Sequence, residues 1–250
     1  KDKFKYDCVI IFNGYQIDYS TLTKLKKKAS KSFINIQTDN IFEKKNIIIK
    51  NLNFFDRVYV WSKHIKNKII KKKIVNKNKI IFLPFGFDQN IIKNFKKKIN
   101  NKILFYGSWD KNRENILKNI DYKILNIFGN GWENSKTAFK KKYNIKGELV
   151  GAKLANEITK SLFCLNLFRY QAKNLINMRS FEVLGYGGTL LSEKSREQSS
   201  FFFKSSGIVY FNNINQVNNI YKKFIKKKNK FLLNKIKNKT TMVKHNYLNR

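Results

Sequence analysis

Short runs rich in Ile, Val, Phe and Leu recur along this chain, and longer lysine-edged segments with helical spacing separate them. Apolar runs of this length read as strands buried on both faces, and the intervening segments as amphipathic helices. Strands that alternate with helices specify parallel sheets built from right-handed βαβ units. That alternation, more than any single motif, limits what the chain can fold into.

The strand expectations are "YDCVIIF" (6–12), read as buried, "SFINIQT" (32–38), "RVYVW" (57–61) and "KIIFLPF" (79–85). Helices are expected over 18–29, with Asp18 or Ser20 as cap, and over 62–73, capped by Ser62. Asp88 stands near the cap of a further short helix after Pro84, the only proline. After the polar "KKKINN" (96–101) the rhythm restarts with "KILFYG", the helix "DKNRENILKNI" and "YKILNIFGNGW". "GELVG", "SLFCLNLF", "GGTLLS" and "GIVYF" add four short apolar runs, and residues 231–250 read as a terminal helix. The expectation is an α/β protein of two Rossmann-like units, residues 1–97 and 98–250, with the first unit incomplete. The chain opens at Lys1, without methionine and directly before a strand-like run, which suggests that N-terminal sequence is missing.

A hydrophobic fraction of 42% and an aromatic fraction of 15% exclude a disordered polyelectrolyte. No apolar run approaches the roughly 18 residues that cross a bilayer, and no signal-peptide pattern opens the chain. Cys8 and Cys164 each lie in an apolar run, so buried reduced thiols in a cytoplasmic protein are expected. The two histidines are too scattered for a metal cluster, and no metal or other cofactor is expected. The net charge of +37 favours polyanions, including nucleic acid and peripheral contact with an anionic membrane surface. The lysines recur throughout, however, in a chain also swollen with Asn, Ile and Phe, the pattern that A- and T-rich codons produce. Drift in base composition therefore explains the charge without a nucleic-acid partner.

Open parallel sheets bind ligands beyond the carboxyl ends of their strands. The loops "YGSWD" (106–110) and "FGNGWE" (128–133) lie there. Gly107 and Ser108 would let backbone approach a phosphate, with Arg113 reaching it from the next helical turn; Gly129 and Asn130 offer a second such loop. The alternative is that strand-to-helix turns need glycine for backbone reasons alone. A helix is expected to start between Asn174 and Asn177, presenting free N–H groups to a diphosphate. Arg179 and Glu182 stand three residues apart on one face of it. They read either as donor contacts, with Glu182 accepting from ribose hydroxyls, or as a local ion pair. Asp39 and His64 are available as acceptor-activating bases, although Asp39 also suits a turn and His64 a solvated helix face.

"NMRSFEVLGYGGTLLSE" resembles the core signature of the CgeB-like, spore-maturation type glycosyltransferases, a GT-B family. "VYVWSKHIKNKI", "IIFLPFGFDQ", "ILFYGSWDKNRENIL", "LNIFGNGW" and "HNYLNR" resemble the same family in the same order. The resemblance implies two Rossmann-like domains that transfer a sugar from a nucleotide-sugar, held by the second domain, to an acceptor on the first. It implies no bound metal, and it places Glu182 at the donor ribose. Related retaining enzymes carry a second glutamate eight residues earlier, where this chain has Asn174. That difference leaves room for a non-catalytic sugar- or nucleotide-binding relative, and the charge for a nucleic-acid-binding protein.

Overall fold

The computed structural model describes residues 4–42, 47–91, 99–169, 172–202, 207–226, 242 and 245–249. The chain divides into two compact units: Lys1–Pro84 with Tyr170–Leu175, and Phe85–Arg169 with Ile176–Arg250.

The first unit holds strands β1 (Tyr6–Phe12), β2 (Ala29–Gln37), β3 (Arg57–Val60) and β4 (Ile80–Phe82), ordered as they occur in the chain and all parallel. Helices α1 (Tyr19–Lys28), α2 (Ile48–Asn51) and α3 (Lys63–Lys71) connect them. The caps follow from local chemistry. Asp18 accepts from the Thr21 amide at 2.7 Å and Ser62 from the Ile65 amide at 3.1 Å, each satisfying an N–H that the helix itself leaves open. Phe33 and Phe55 stack at 4.6 Å in the core beneath these helices.

The strand at 6–12 forms, but it is not buried. β1 lies at the edge of the sheet, and of its residues only Ile11 is buried while Tyr6, Cys8, Ile10 and Phe12 are exposed. Cys8 is therefore an exposed thiol, whereas Cys164 is buried as expected. An apolar run does not reveal whether it has neighbours on one side or two.

The second unit is a six-stranded parallel sheet: β5 (Ile103–Tyr106), β6 (Leu125–Phe128), β7 (Asn144–Lys146), β8 (Phe163–Asn166), β9 (Leu190–Glu193) and β10 (Ile208–Phe211). The spatial order is β10-β9-β8-β5-β6-β7. The chain thus builds outward from β5 in one direction, then returns to the other side of β5 and builds away again. Helices α4 (Lys111–Leu117), α5 (Thr137–Lys142), α6 (Gly151–Lys160), α7 (Met178–Gly185), α8 (Arg196–Phe201) and α9 (Gln216–Lys226) link and cover the strands. The core runs through Phe105, Ile127, Trp132, Phe163 and Leu191, with Trp132 edge-on to Phe105 at 6.1 Å.

Two local expectations change. "GELVG" is not a strand; the strand is β7, just before it, an edge strand whose Asn144 and Lys146 are exposed. Gly151 opens α6, whose Leu154, Ala155 and Ile158 are buried at helical spacing. The terminal helix lies largely outside the described residues. Among those that are described, Asn246 bridges to Phe87, and Tyr247–Asn249 form a short 3-10 turn.

Gly185 ends α7 where Phe87 lies against it: a Cβ there would stand 2.3 Å from the Phe87 ring. Alanine is the better helix former by about 1 kcal/mol, yet Gly185→Ala is expected to destabilise the protein by about 2 kcal/mol through overpacking. Urea denaturation checks this, and adding Phe87→Leu should recover part of the loss.

Candidate functional site

In an open parallel sheet the point where strand order reverses leaves a gap, because the connections on either side run in opposite directions. Here that point lies between β5 and β8. Their pairing covers Ile103 with Phe163 and Leu104 with Cys164 and stops there, although β5 continues to Tyr106 and β8 to Asn166. Arg179, from the first turn of α7, spans the carboxyl ends of the two strands. Its Nη2 donates to the Tyr106 carbonyl and its Nη1 to Asn166 Oδ1 at 3.1 Å. The guanidinium also lies over the Tyr106 ring, 4.6 Å from its centroid. Its Nε is buried without a hydrogen-bond partner.

α7 is placed by Asn177, whose Oδ1 accepts from the Ser180 amide and whose Nδ2 donates to Asn166 Oδ1 at 2.8 Å. The helix start expected between residues 174 and 177 is therefore at Asn177.

The loop after β5 brings a second arginine to the same place. Asp110 caps α4, accepting from the Arg113 amide at 2.9 Å. The Arg113 side chain folds back so that Nη1 donates to the Ser108 carbonyl at 2.7 Å, and Nε lies 3.5 Å from Asp110 Oδ2. A Cβ on Gly107 would stand 3.1 Å from Arg179 Nη2 and 3.4 Å from Arg113 Nη1, so both guanidinium groups reach the glycine backbone. Gly107 has φ +157, within the range that favours glycine. Burial, followed by the charges of Arg179 and Arg169, holds the Arg113 pKa down to about 10. The group stays protonated at neutral pH, and it does so against like charge. An anion placed here would relieve that repulsion.

The second glycine loop has a packing explanation. A Cβ on Gly129 would fall 2.2 Å from the Gly107 carbonyl oxygen, and the Asn130 carbonyl accepts from the Trp109 amide at 2.8 Å. Trp132 Nε1 donates to the Gly107 carbonyl at 2.9 Å. Gly129 and Asn130 thus shape the backbone of the Gly107 loop.

Glu182 is one turn along α7 from Arg179. No ion pair joins them; Glu182 Oε2 instead accepts from the Tyr106 hydroxyl at 3.1 Å. A carboxylate offers about four lone-pair sites, so acceptor capacity remains. Burial raises the Glu182 pKa against the opposing Tyr106 hydrogen bond and Arg179 charge. Burial and the neighbouring carboxylate push the Tyr106 hydroxyl well above the phenol range, keeping it a neutral donor. Two cations and a partly satisfied carboxylate at the end of β5 form an arrangement suited to a ligand that carries both phosphate and hydroxyls.

Residues 97–250, more than half of the chain, match the family model described as "Glycosyl transferase-like". The chain belongs to this glycosyl transferase-like family. No curated protein matches it by sequence. Among solved structures, HepE of Anabaena, in complex with UDP and glucose, superposes with TM-score 0.69 at 12% identity, covering 96% of this chain and 74% of that one. Sucrose-phosphate synthase of Thermosynechococcus elongatus gives 0.67 at 9% identity, covering 97% and 70%. BGT of phage T4, in complex with UDP-glucose, gives 0.55 at 17% identity, covering 96% and 79%. Identities this low establish the fold, which is GT-B.

Of the positions singled out from the sequence of this glycosyl transferase-like chain, Gly107, Ser108, Arg113, Asn177, Arg179 and Glu182 come together around the end of β5, with Gly129 and Asn130 beneath them. Asn174 belongs to the first unit and is exposed, with φ 68, a left-handed conformation that asparagine tolerates. Asp39, also in the first unit, accepts from the Tyr15 hydroxyl at 2.6 Å, and His64 is exposed on α3. Sequence reasoning missed Tyr106 and Asn166, which hold Arg179. The signal for Asn166 was a lone amide inside the apolar run "SLFCLNLF".

A carboxyl whose folded pKa is raised is favoured in its protonated form, so its contribution to stability is present below the ordinary glutamate pKa and is lost as pH rises through the raised value. Glu182→Gln is accordingly expected to melt higher than the wild type at neutral pH. The difference should vanish once the pH falls below the unperturbed value of 4.5. Thermal melts across that range check the sign.

Proposed function

We propose that this chain transfers a sugar from a nucleotide-sugar donor to an acceptor, in the manner of the CgeB-like glycosyltransferases that its motifs resemble. One observation supports this above the others: Arg113 and Arg179 both press against Gly107 at the reversal of strand order, with Glu182 alongside. In this reading the diphosphate lies on Gly107 and Ser108 between the two guanidinium groups, and Glu182 accepts hydrogen bonds from the ribose hydroxyls. As the glycosidic bond breaks, negative charge builds on the leaving diphosphate. Two arginines already held in place stabilise that charge without reorganising. The structural relatives HepE and BGT, solved with UDP and glucose or with UDP-glucose, support a nucleotide-sugar as the donor class. The first unit takes the acceptor in this scheme, and the reaction uses no bound metal.

A reading as a donor-binding relative without turnover is favoured by Asn174, which puts an exposed amide where retaining relatives are expected to have a carboxylate. Release of nucleoside diphosphate from UDP-, GDP- or TDP-sugars separates the two readings, since measurable release excludes the non-catalytic one.

Each charge-assisted hydrogen bond contributes about 1.5–3 kcal/mol. Arg113→Ala should therefore weaken nucleoside diphosphate binding by about tenfold or more. Glu182→Ala should weaken binding of the nucleoside as well as the diphosphate. Calorimetry on the wild type and both variants decides; unchanged affinities in both variants would remove the donor site from this position.

A further inference from the structure

We propose that Asn166 is a positioning residue: its amide, braced from behind by Ser192 and Gln198, aims the Arg179 guanidinium at an anionic ligand without cancelling its charge. This inference rests on the reading of the site as a nucleotide-sugar site.

Asn166 is the last residue of β8 and is fully buried. Its Oδ1 accepts from Arg179 Nη1 at 3.1 Å and from Asn177 Nδ2 at 2.8 Å. Its Nδ2 donates to Ser192 Oγ at 3.0 Å and reaches Gln198 Oε1 at 3.4 Å. The network fixes the orientation of the amide, because the flipped form would set an NH2 group against the guanidinium. Gln198 Nε2 closes the far side by donating to Ser192 Oγ at 3.1 Å. Asn166, Ser192, Ser195 and Gln198 all have 0% exposure, a polar cluster among the equally buried Cys164, Leu165 and Leu191. A buried polar network is tolerable only when its members are satisfied, and when satisfied it locks their geometry.

The chemical identity of the two acceptors matters as much as their placement. Arg179 is held by a backbone carbonyl and a carboxamide, both neutral. The carboxylate on the same helix, Glu182, is engaged by Tyr106 instead. The guanidinium therefore keeps a fixed direction without a carboxylate hydrogen-bonded to it. An aspartate at 166 has nearly the same shape, and Ser192 and Gln198 can turn a hydroxyl and an amide toward it. It would, however, form a buried pair with Arg179 and compete with any incoming phosphate.

The test compares UDP with uridine by calorimetry at low and high salt, using the wild type, Asn166→Asp and Asn166→Ser. The wild type should bind UDP in a salt-dependent manner. Asn166→Asp should bind UDP about tenfold or more weakly, with a flattened salt dependence, and should bind uridine as the wild type does. Asn166→Ser keeps a neutral acceptor, so it should lose some UDP affinity but retain the salt dependence. Equal UDP affinity and salt dependence in Asn166→Asp and wild type would overturn the proposal. So would an Asn166→Ser variant that loses UDP and uridine equally, and this arm decides if Asn166→Asp does not fold. A wild type that binds none of UDP, GDP or TDP refutes the nucleotide reading itself. Pyrophosphate then judges Asn166 separately: an unchanged affinity in Asn166→Asp, or no binding to the wild type, overturns the positioning role.

Discussion

The guanidinium of Arg179 occupies the place where β5 and β8 part, and the features of the second unit's candidate site can be traced from it. A parallel sheet that reverses its strand order cannot keep two flanking strands paired to their ends. The unpaired Tyr106 carbonyl needs a donor, and a helix entering at Asn177 supplies one. The same side chain reaches Asn166, stacks on Tyr106 and crowds Gly107, so no side chain heavier than hydrogen fits comfortably at residue 107. Gly129 then has to be glycine as well, because the Gly107 carbonyl already fills the space a Cβ would take.

This geometry concentrates positive charge where a folded protein gains least from it. Arg113 is buried beside Arg179, and among the described residues Asp110 is the acidic group that offsets its charge. The general excess of lysine has a different character: it recurs along the whole sequence rather than in one block. Two arginines in a chain with 53 basic residues therefore say more about a ligand than the other basic side chains together. Lysine could not replace them readily, since the planar fork lets one group hold two backbone or amide acceptors and still face an anion.

Much of the fold was legible in the sequence. The strand runs, the caps at Asp18 and Ser62, and the restart after residue 101 are local chemistry, and local chemistry can be read from a linear chain. Arg179 and Glu182 were legible as residues of one face, but not their separate partners, because spacing along a helix says nothing about which strand ends lie beside it. Asn166 was hidden for the same reason; its amide becomes informative only once β8 is known to lie between β5 and β9. The exposure of Cys8 was illegible because edge and interior strands share the same apolar pattern. α6 is different: Leu154, Ala155 and Ile158 carry a helical spacing that was visible in the residues.

The central claim is that the end of β5, with Arg113, Arg179 and Glu182 around it, receives the diphosphate and ribose of a nucleotide-sugar. A crystal structure of the protein soaked with UDP tests it most directly. The account predicts diphosphate density against Gly107 between the two guanidinium groups, with the ribose hydroxyls on Glu182. Well-defined UDP bound elsewhere, with Arg113 and Arg179 untouched, would contradict it.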